Sequence, residues 1–256
     1  MEHKTVLILA TDGDSTRMIY HALVKHFDIS SIILEQKESR KVFIKRRLKK
    51  LGLAKVTGQL LFQVLVAPVL KVTSRNKVQK IVSGNGLCRS EIPEEKIVRV
   101  NSINSSQVED ILQEKQPDVV IVNGTRIISR KILNAATCVF INSHTGITPR
   151  YRGVHGGYWA LANGDKENCG VTVHLLDEGI DTGEVLYQEV TEVTEKDNFV
   201  TYPYLQTAKS IPLLVHAVND AFNNRIKKEK IGGKSQLWYH PTMWDYLYNR
   251  LIKKVK

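Results

Sequence analysis

Short apolar runs recur along the chain and stop at polar, glycine-bearing turns. TVLILA at residues 5–10 is the first and 29–34 the second, and DVVIVNG, VFINS, VTVHLL and EVLYQEV follow. Brief continuous apolar runs bounded by turn residues predict buried strands. Between them lie stretches with helical spacing: 17–26, the segment after Ser105 and Ser106, 155–162, and 202–222 despite Pro203 and Pro212. Either serine suits a helix start, with acids following in the first turn. A short helix is expected over 127–135. Strand, helix and strand in alternation predict a mostly parallel sheet with helices on both faces.

This is an α/β, Rossmann-like layout, and in such sheets ligands bind in the crevice at the carboxyl ends of the strands. Asn142, His144 and Asp181 fall in loops or strand ends of the segment 117–186. Asn142 and His144 are two apart on a strand and so share one side. An amide there can donate to a developing oxyanion, and an imidazole can exchange a proton near neutral pH. A carboxylate can orient that imidazole. On the residues alone, a satisfied loop histidine and a turn aspartate are the favoured reading. No serine or cysteine sits in a nucleophile elbow, and no ligand spacing suggests a metal. The turn after the first strand has Gly13 between Asp12 and Asp14. Two carboxylates there repel phosphate, so a dinucleotide site is not expected.

With 256 residues, 42% apolar and 25% charged, the length suits one α/β domain with a modest extension. The first apolar run is too short for a signal peptide. Cys88, Cys138 and Cys169 are scattered and read as reduced thiols. The net charge of +11 would suit nucleic acid, but it is concentrated. Residues 40–55 hold eight Lys and Arg and no acid, and 225–234 and 253–256 add more. Segment 39–72 is basic first and apolar afterwards, with helical spacing at Leu48, Leu51, Val56, Leu60 and Val64. Lys55, Gln59, Gln63 and Pro68 argue against a membrane-spanning helix. A helical excursion packed on the domain or on a second subunit is the plain expectation. A membrane-surface element and an RNA contact are the alternatives.

FINSHTGITPRYRG at 140–153 and VTVHLLDEGIDTGEVL at 171–186 resemble the two signature segments of the N-formyltransferases that use 10-formyltetrahydrofolate. Methionyl-tRNA formyltransferase, glycinamide ribonucleotide transformylase and the sugar N-formyltransferases share them. The resemblance is strong over 117–190 and looser over 5–215. It implies that Asn142 holds the formyl oxygen, that His144 assists charge development there, and that Asp181 stands beside both. GTRIIS is similar to the segment that receives the pterin, which implies roles for Gly124, Thr125, Arg126, Ile127 and Ile128. The loop Asp177, Glu178, Gly179 and Ile180 would close over that ring. Tyr151, Arg152 and Gly153 would meet the acceptor, with Arg152 alternatively bracing the loop. His174 reads as structural or supporting. No metal is implied.

The resemblance and the length together imply a small-molecule amine acceptor, namely the amino group of a nucleotide-linked dideoxy sugar for surface polysaccharide. The turn at Asp12 is wrong for glycinamide ribonucleotide, and the residues after 205 are too few for a tRNA-binding barrel. Alternatives are methionyl-tRNA, another RNA- or lipid-linked amine, or a non-catalytic folate-binding relative. The expected organisation is a catalytic domain over 1–205, with the insertion at 39–72, and a helical, aromatic- and lysine-rich extension over 206–256. The expected setting is cytoplasmic. A homodimer and a peripheral membrane contact through 39–72 are open, and a nucleic-acid partner is not expected.

Overall fold

The computed structural model describes residues 4–256. The alternation of apolar side chains along its first strand, β1 (Thr5–Thr11), sends Val6, Ile8 and Ala10 to one face and Leu7 and Leu9 to the other. Six further strands extend the sheet: β2 (Asp28–Glu35), β3 (Ile97–Val100), β4 (Val119–Asn123), β5 (Val139–His144), β7 (Gly170–Leu175) and β8 (Val185–Val190). Their order is β3-β2-β1-β4-β5-β7-β8, parallel from β3 to β5 and antiparallel at β5–β7 and β7–β8. The fold is therefore Rossmann-like and mostly parallel, as the alternation of elements predicts.

Helices cover both faces because the central strands β1 and β4 are apolar on both sides. On one face α1 (Asp14–Leu23) and α8 (Tyr202–Phe222) bury Ile19, Leu23, Leu214 and Val218 against Val6, Ile121, Ile141 and Val173. On the other, α5 (Ser106–Lys115) and α6 (Arg130–Leu133) bury Val108, Leu112 and Ile132 against Leu9, Val122 and Phe140. The helix expected over 127–135 is confined to α6, since residues 124–129 form an irregular loop.

The boundary expected at residue 205 falls inside α8. That helix completes one side of the core, so it cannot belong to an appended piece. Pro203 sits in its first turn and Pro212 in its interior.

The excursion is helical, as expected, but its buried face is not the expected stripe. α2 (Arg40–Leu51) ends at Gly52, whose φ of 79° turns the chain. α3 (Leu53–Leu61) then runs through a π turn (Phe62–Val66) into α4 (Ala67–Gly84). Pro68 has no N–H for the ladder, and a wider turn just before it accommodates the ring. The Gly52 break and the π turn shift the register. Val56, Gln59 and Phe62 are buried, whereas Leu60 and Val64 face outward.

The end of the chain locks onto this excursion. α9 (Met243–Leu251) starts at a capping box between Thr242 and Asp245. Its Tyr246 packs on Phe62 and α7 (Gly156–Ala162) through Tyr158. The Trp244 ring lies so close to Gly58 that a Cβ there would come within 2.3 Å of it. Gln59 Nε2 donates to the His240 carbonyl at 2.7 Å, and Arg47 donates to Gln59 Oε1 at 3.1 Å.

His240 and His155 hydrogen-bond ring to ring at 3.0 Å. Burial and the nearby Arg47 push His240 down to about 4, and burial holds His155 well below its ordinary value. Both rings are therefore neutral in the fold, whereas the unfolded chain takes up protons below about pH 6.5. Stability should be full above pH 6.5 and fall between pH 6.5 and 4, by roughly 2–3 kcal/mol for His240. Denaturant unfolding at a series of pH values checks this, and His240→Asn should flatten the fall.

Candidate active site

The site is built where β5 leaves the sheet. Asn142 and His144 lie on one side of β5, and the antiparallel register sets Asn142 opposite His174 on β7. The loop after β7 folds back over this end and brings Asp181 to all three. His144 Nδ1 stands 3.3 Å from Asp181 Oδ2, and Asn142 Nδ2 stands 3.4 Å from Oδ1. Asp181 thus contacts both of the other residues singled out in the sequence. The three do not all reach the crevice from strand carboxyl ends of one parallel set, because β7 runs against β5.

Hydrogen bonding decides the tautomers. His144 Nε2 faces the Tyr151 carbonyl at 2.6 Å and must carry a proton to donate to it. A proton on Nδ1 then makes the contact with Asp181 a hydrogen bond. His174 Nδ1 faces the Leu175 carbonyl at 2.7 Å, so its Nε2 accepts from Asn142 Nδ2 at 3.1 Å. His174 therefore fixes which way the Asn142 amide points. Both protons of that amide are directed inward, and its contact with Asp181 is the longer.

Asp181 itself is nearly buried, with 12% of its side chain exposed. Burial alone would raise its pKa. The His144 imidazole and the Gly153 N–H outweigh burial and hold it down at about 2. Gly153 N donates to Oδ2 at 2.8 Å. Asp181 has φ of 51°, a left-handed conformation that aspartate tolerates better than most residues.

Close backbone contacts form the loop between β5 and α7. A Cβ on Gly146 would lie 2.3 Å from the Tyr151 carbonyl and 2.7 Å from His144 Nε2. The Thr172 hydroxyl donates to Gly146 O at 2.8 Å and accepts from Thr148 N at 3.1 Å. A two-stranded ribbon completes the loop, pairing β6 (Arg152–Gly153) with β9 (Leu237–Trp238). The residues near the end of the chain thus hold the loop that holds Asp181. Neither the ribbon nor the role of His174 is visible in the chain, since two-residue strands carry no periodicity.

The acceptor residues sort differently from expectation. The Tyr151 side chain is buried at 3%, stacks on Trp238 and donates to Asp165 at 2.9 Å. It packs the loop, and its backbone carbonyl serves the site. Arg152 Nη1 donates to Ile180 O at 3.1 Å, so Arg152 does brace the loop. It also lines a cleft of about 640 Å³ with Thr148, Leu176, Asp181, Glu184 and Lys230. Gly153 contributes its N–H.

The expected pterin segment, 124–128, does not line this cleft and is linked to it through Leu176 and the Glu178–Arg130 pair. Thr11 Oγ1 donates to Gly124 O at 3.2 Å, and the Thr125 hydroxyl turns onto the Arg126 carbonyl. Arg126 forms an ion pair with the buried Glu35 and donates to the Gln36 and Asn101 carbonyls. It ties strand ends together, which occupies its guanidinium. Ile128 is core and Ile127 is 53% exposed. Asp177 accepts from Gly179 N at 2.9 Å and from Thr182 Oγ1 at 2.7 Å, closing its loop. Glu178 pairs with Arg130, which bridges this loop to the 124–129 loop. Leu176 lines the cleft and packs on the cluster that holds Ile128 and Ile132.

Residues 62–217 match the formyl transferase family. The chain belongs to that family. Curated relatives of this formyl transferase chain include methionyl-tRNA formyltransferases. That of a Nitratiruptor species is 32% identical over 148 residues, 52% of this chain and 48% of that protein. That of Halothermothrix orenii is 30% identical over 136 residues, 53% of this chain and 43% of its own. The matched region thus spans less than half the length of these relatives. Among solved structures, a sugar N-formyltransferase from Shewanella sp FDAARGOS_354 superposes with a TM-score of 0.58 at 14% identity, over 93% of this chain and 77% of that one. A phosphoribosylglycinamide formyltransferase from Anaplasma phagocytophilum gives 0.58 at 17% identity, over 92% and 98%. At such identities the likeness is one of fold.

Nitrogen chemical shifts test the tautomer in this candidate site. His144 should carry a proton on Nε2, donated to the Tyr151 carbonyl, in the unaltered protein and in Asp181→Asn alike. A bare Nε2 in the unaltered protein would contradict the geometry.

Proposed function

We propose that this chain transfers a formyl group from 10-formyltetrahydrofolate to a primary amine. The observation that carries the reading is the convergence of Asn142, His144 and Asp181 beside a cleft of small-molecule size. The residues present fit the folate. A partly exposed Ile127, the apolar Leu176 and the polar loop 177–182 offer an apolar surface and hydrogen-bond partners to a flat heterocycle. The folate, when bound, supplies a formyl carbon already attached to a leaving nitrogen.

In this reading Asn142 and His144 place N–H groups where negative charge develops on the formyl oxygen. Both are now turned toward Asp181 by their longest contacts, 3.3 and 3.4 Å, and these are the contacts that yield to a ligand oxygen. His174 keeps the Asn142 amide facing the same point. Asp181, ionised well below neutral pH, holds His144 in place and takes part in moving the amine's proton. Arg130 and Glu178 hold the two folate loops together.

For the acceptor we favour the amino group of a nucleotide-linked amino sugar, in the cytoplasm. Arg152, with its buried Nε unpartnered among the described residues, and Lys230 supply cations for a phosphate within the cleft. Asp177, Glu184 and Glu229 there suit an amine and sugar hydroxyls. Methionyl-tRNA is the second reading, favoured by the names of the relatives in sequence.

Asn142→Ala, His144→Ala and Asp181→Ala should each lower formyl transfer by ~10²–10³ or more while folate analogues still bind. Mass spectrometry of a panel of nucleotide-linked amino sugars and of methionyl-tRNA, watching for gain of one formyl group, checks reaction and acceptor together. Unchanged turnover in folded His144→Ala would sink the assignment.

A further inference from the structure

The basic excess of this protein has one address. Residues 39–90 hold thirteen Lys and Arg and no Asp or Glu, while the rest of the chain has 24 basic against 26 acidic residues. That stretch is α2, α3, the π turn and α4 with their flanks. The family match starts at residue 62, so α2 and α3 lie outside it.

The same stretch carries many of the exposed aliphatic side chains among the described residues. Leu53 is 73% exposed, Val64 69% and Val72 77%, and Leu65 and Val69 lie bare between them. The continuous helical stretch Leu53–Gly84 is, by length and composition, apolar enough to cross a membrane, yet it does not stand free. Val56, Gln59, Phe62, Ser74 and Val78 anchor its other face on the domain. α9 packs beside it and adds exposed Trp244, Tyr248, Leu251 and Ile252. On α2, Lys41, Lys45 and Lys49 repeat every four residues and make one cationic row.

We propose that α2–α4 and α9 form a surface that docks on an anionic lipid bilayer, with the helices lying in the interface rather than spanning it. Three occupants compete for an exposed apolar face, and charge separates them. A second copy would bring thirteen cations against thirteen with no acid in the stretch to pair them. An RNA would satisfy the cations but offer nothing to Leu53, Val64 and Val72. A bilayer with anionic headgroups takes both, with cations at phosphate depth and aliphatic side chains at the acyl boundary. Trp244 and Tyr248, part buried and part exposed, have the amphipathic character of interfacial anchors. The surface is also tied to the site. Gln59 on α3 holds His240, and β9 just before it pairs with Gly153, whose N–H holds Asp181. The inference does not depend on the choice of acceptor.

Co-sedimentation of the full chain with vesicles tests this. We expect binding to mixed phosphatidylcholine–phosphatidylglycerol vesicles that weakens with salt, and none to phosphatidylcholine alone. The triple change Lys41→Glu, Lys45→Glu and Lys49→Glu should lower partitioning by roughly a hundredfold. The pair Val64→Ser and Val72→Ser, which leaves charge untouched, should lower it roughly tenfold. Val64 and Val72 are exposed, so the melting temperature of the serine pair should hold. If the triple variant does not fold, the serine pair and the salt titration of the unaltered protein decide. Absence of binding to anionic vesicles overturns the proposal. So does loss with the triple variant but not the serine pair, accompanied by salt-sensitive tRNA binding. A dimer abolished by the serine pair, without vesicle binding, would assign the face to a second copy instead.

Discussion

A carboxylate taken out of water must be paired at every oxygen, and the site is arranged around that requirement at Asp181. Oδ2 receives the Gly153 N–H and faces His144, and Oδ1 accepts from Asn142, whose amide His174 orients. These groups come from β5, β6 and β7. Each is itself held by a neighbour: His144 by the Tyr151 carbonyl, His174 by the Leu175 carbonyl, and Gly153 by its pairing with Trp238. Displacing any of these would leave a buried charge short of a partner. The energetic cost of isolating that charge therefore preserves the arrangement of Asn142, His144 and Asp181.

This constraint explains why residues distant in the chain are inseparable in function. The ribbon strand β9 pairs with the loop whose Gly153 holds Asp181, Trp238 donates its indole N–H to the Arg150 carbonyl at 3.1 Å, and Trp159 stacks on Trp238. The aromatic tail is thus the outer wall of the loop. Tyr151, which reads as an acceptor contact in the motif, faces that wall and not the cleft. A tyrosine in a catalytic motif can be there for its ring's packing and its backbone's carbonyl.

The excursion follows a different logic from the domain that carries it. Its inner side uses large aromatics and a buried glutamine to dock, while its outer side is aliphatic and cationic. Soluble monomers rarely leave so continuous an apolar surface bare. A formyl transferase held at a charged interface would meet acceptors that are themselves confined there.

Apolar periodicity and turn chemistry are enough to read the sheet and its main helices, while Asn142, His144 and Asp181 stand out through the resemblance of their two segments to the formyltransferase signatures. Strand burial depends on local side-chain chemistry, and β1 and β4 are apolar at nearly every position. What folding alone decided was pairing. Whether β7 runs with or against β5 is set by the route of the loop between them, and that direction puts His174 opposite Asn142. The buried stripe of α3 departs from simple helical spacing because one residue, Gly52, and one widened turn before Pro68 rotate which side faces the domain. The guanidinium of Arg126 is occupied by Glu35, from a strand about ninety residues earlier. The sequence determined which groups can donate, accept and carry charge, because those are properties of single side chains. Only the tertiary structure decided which partners use them, because a hydrogen bond needs two groups at contact distance and the chain brings those together from far apart.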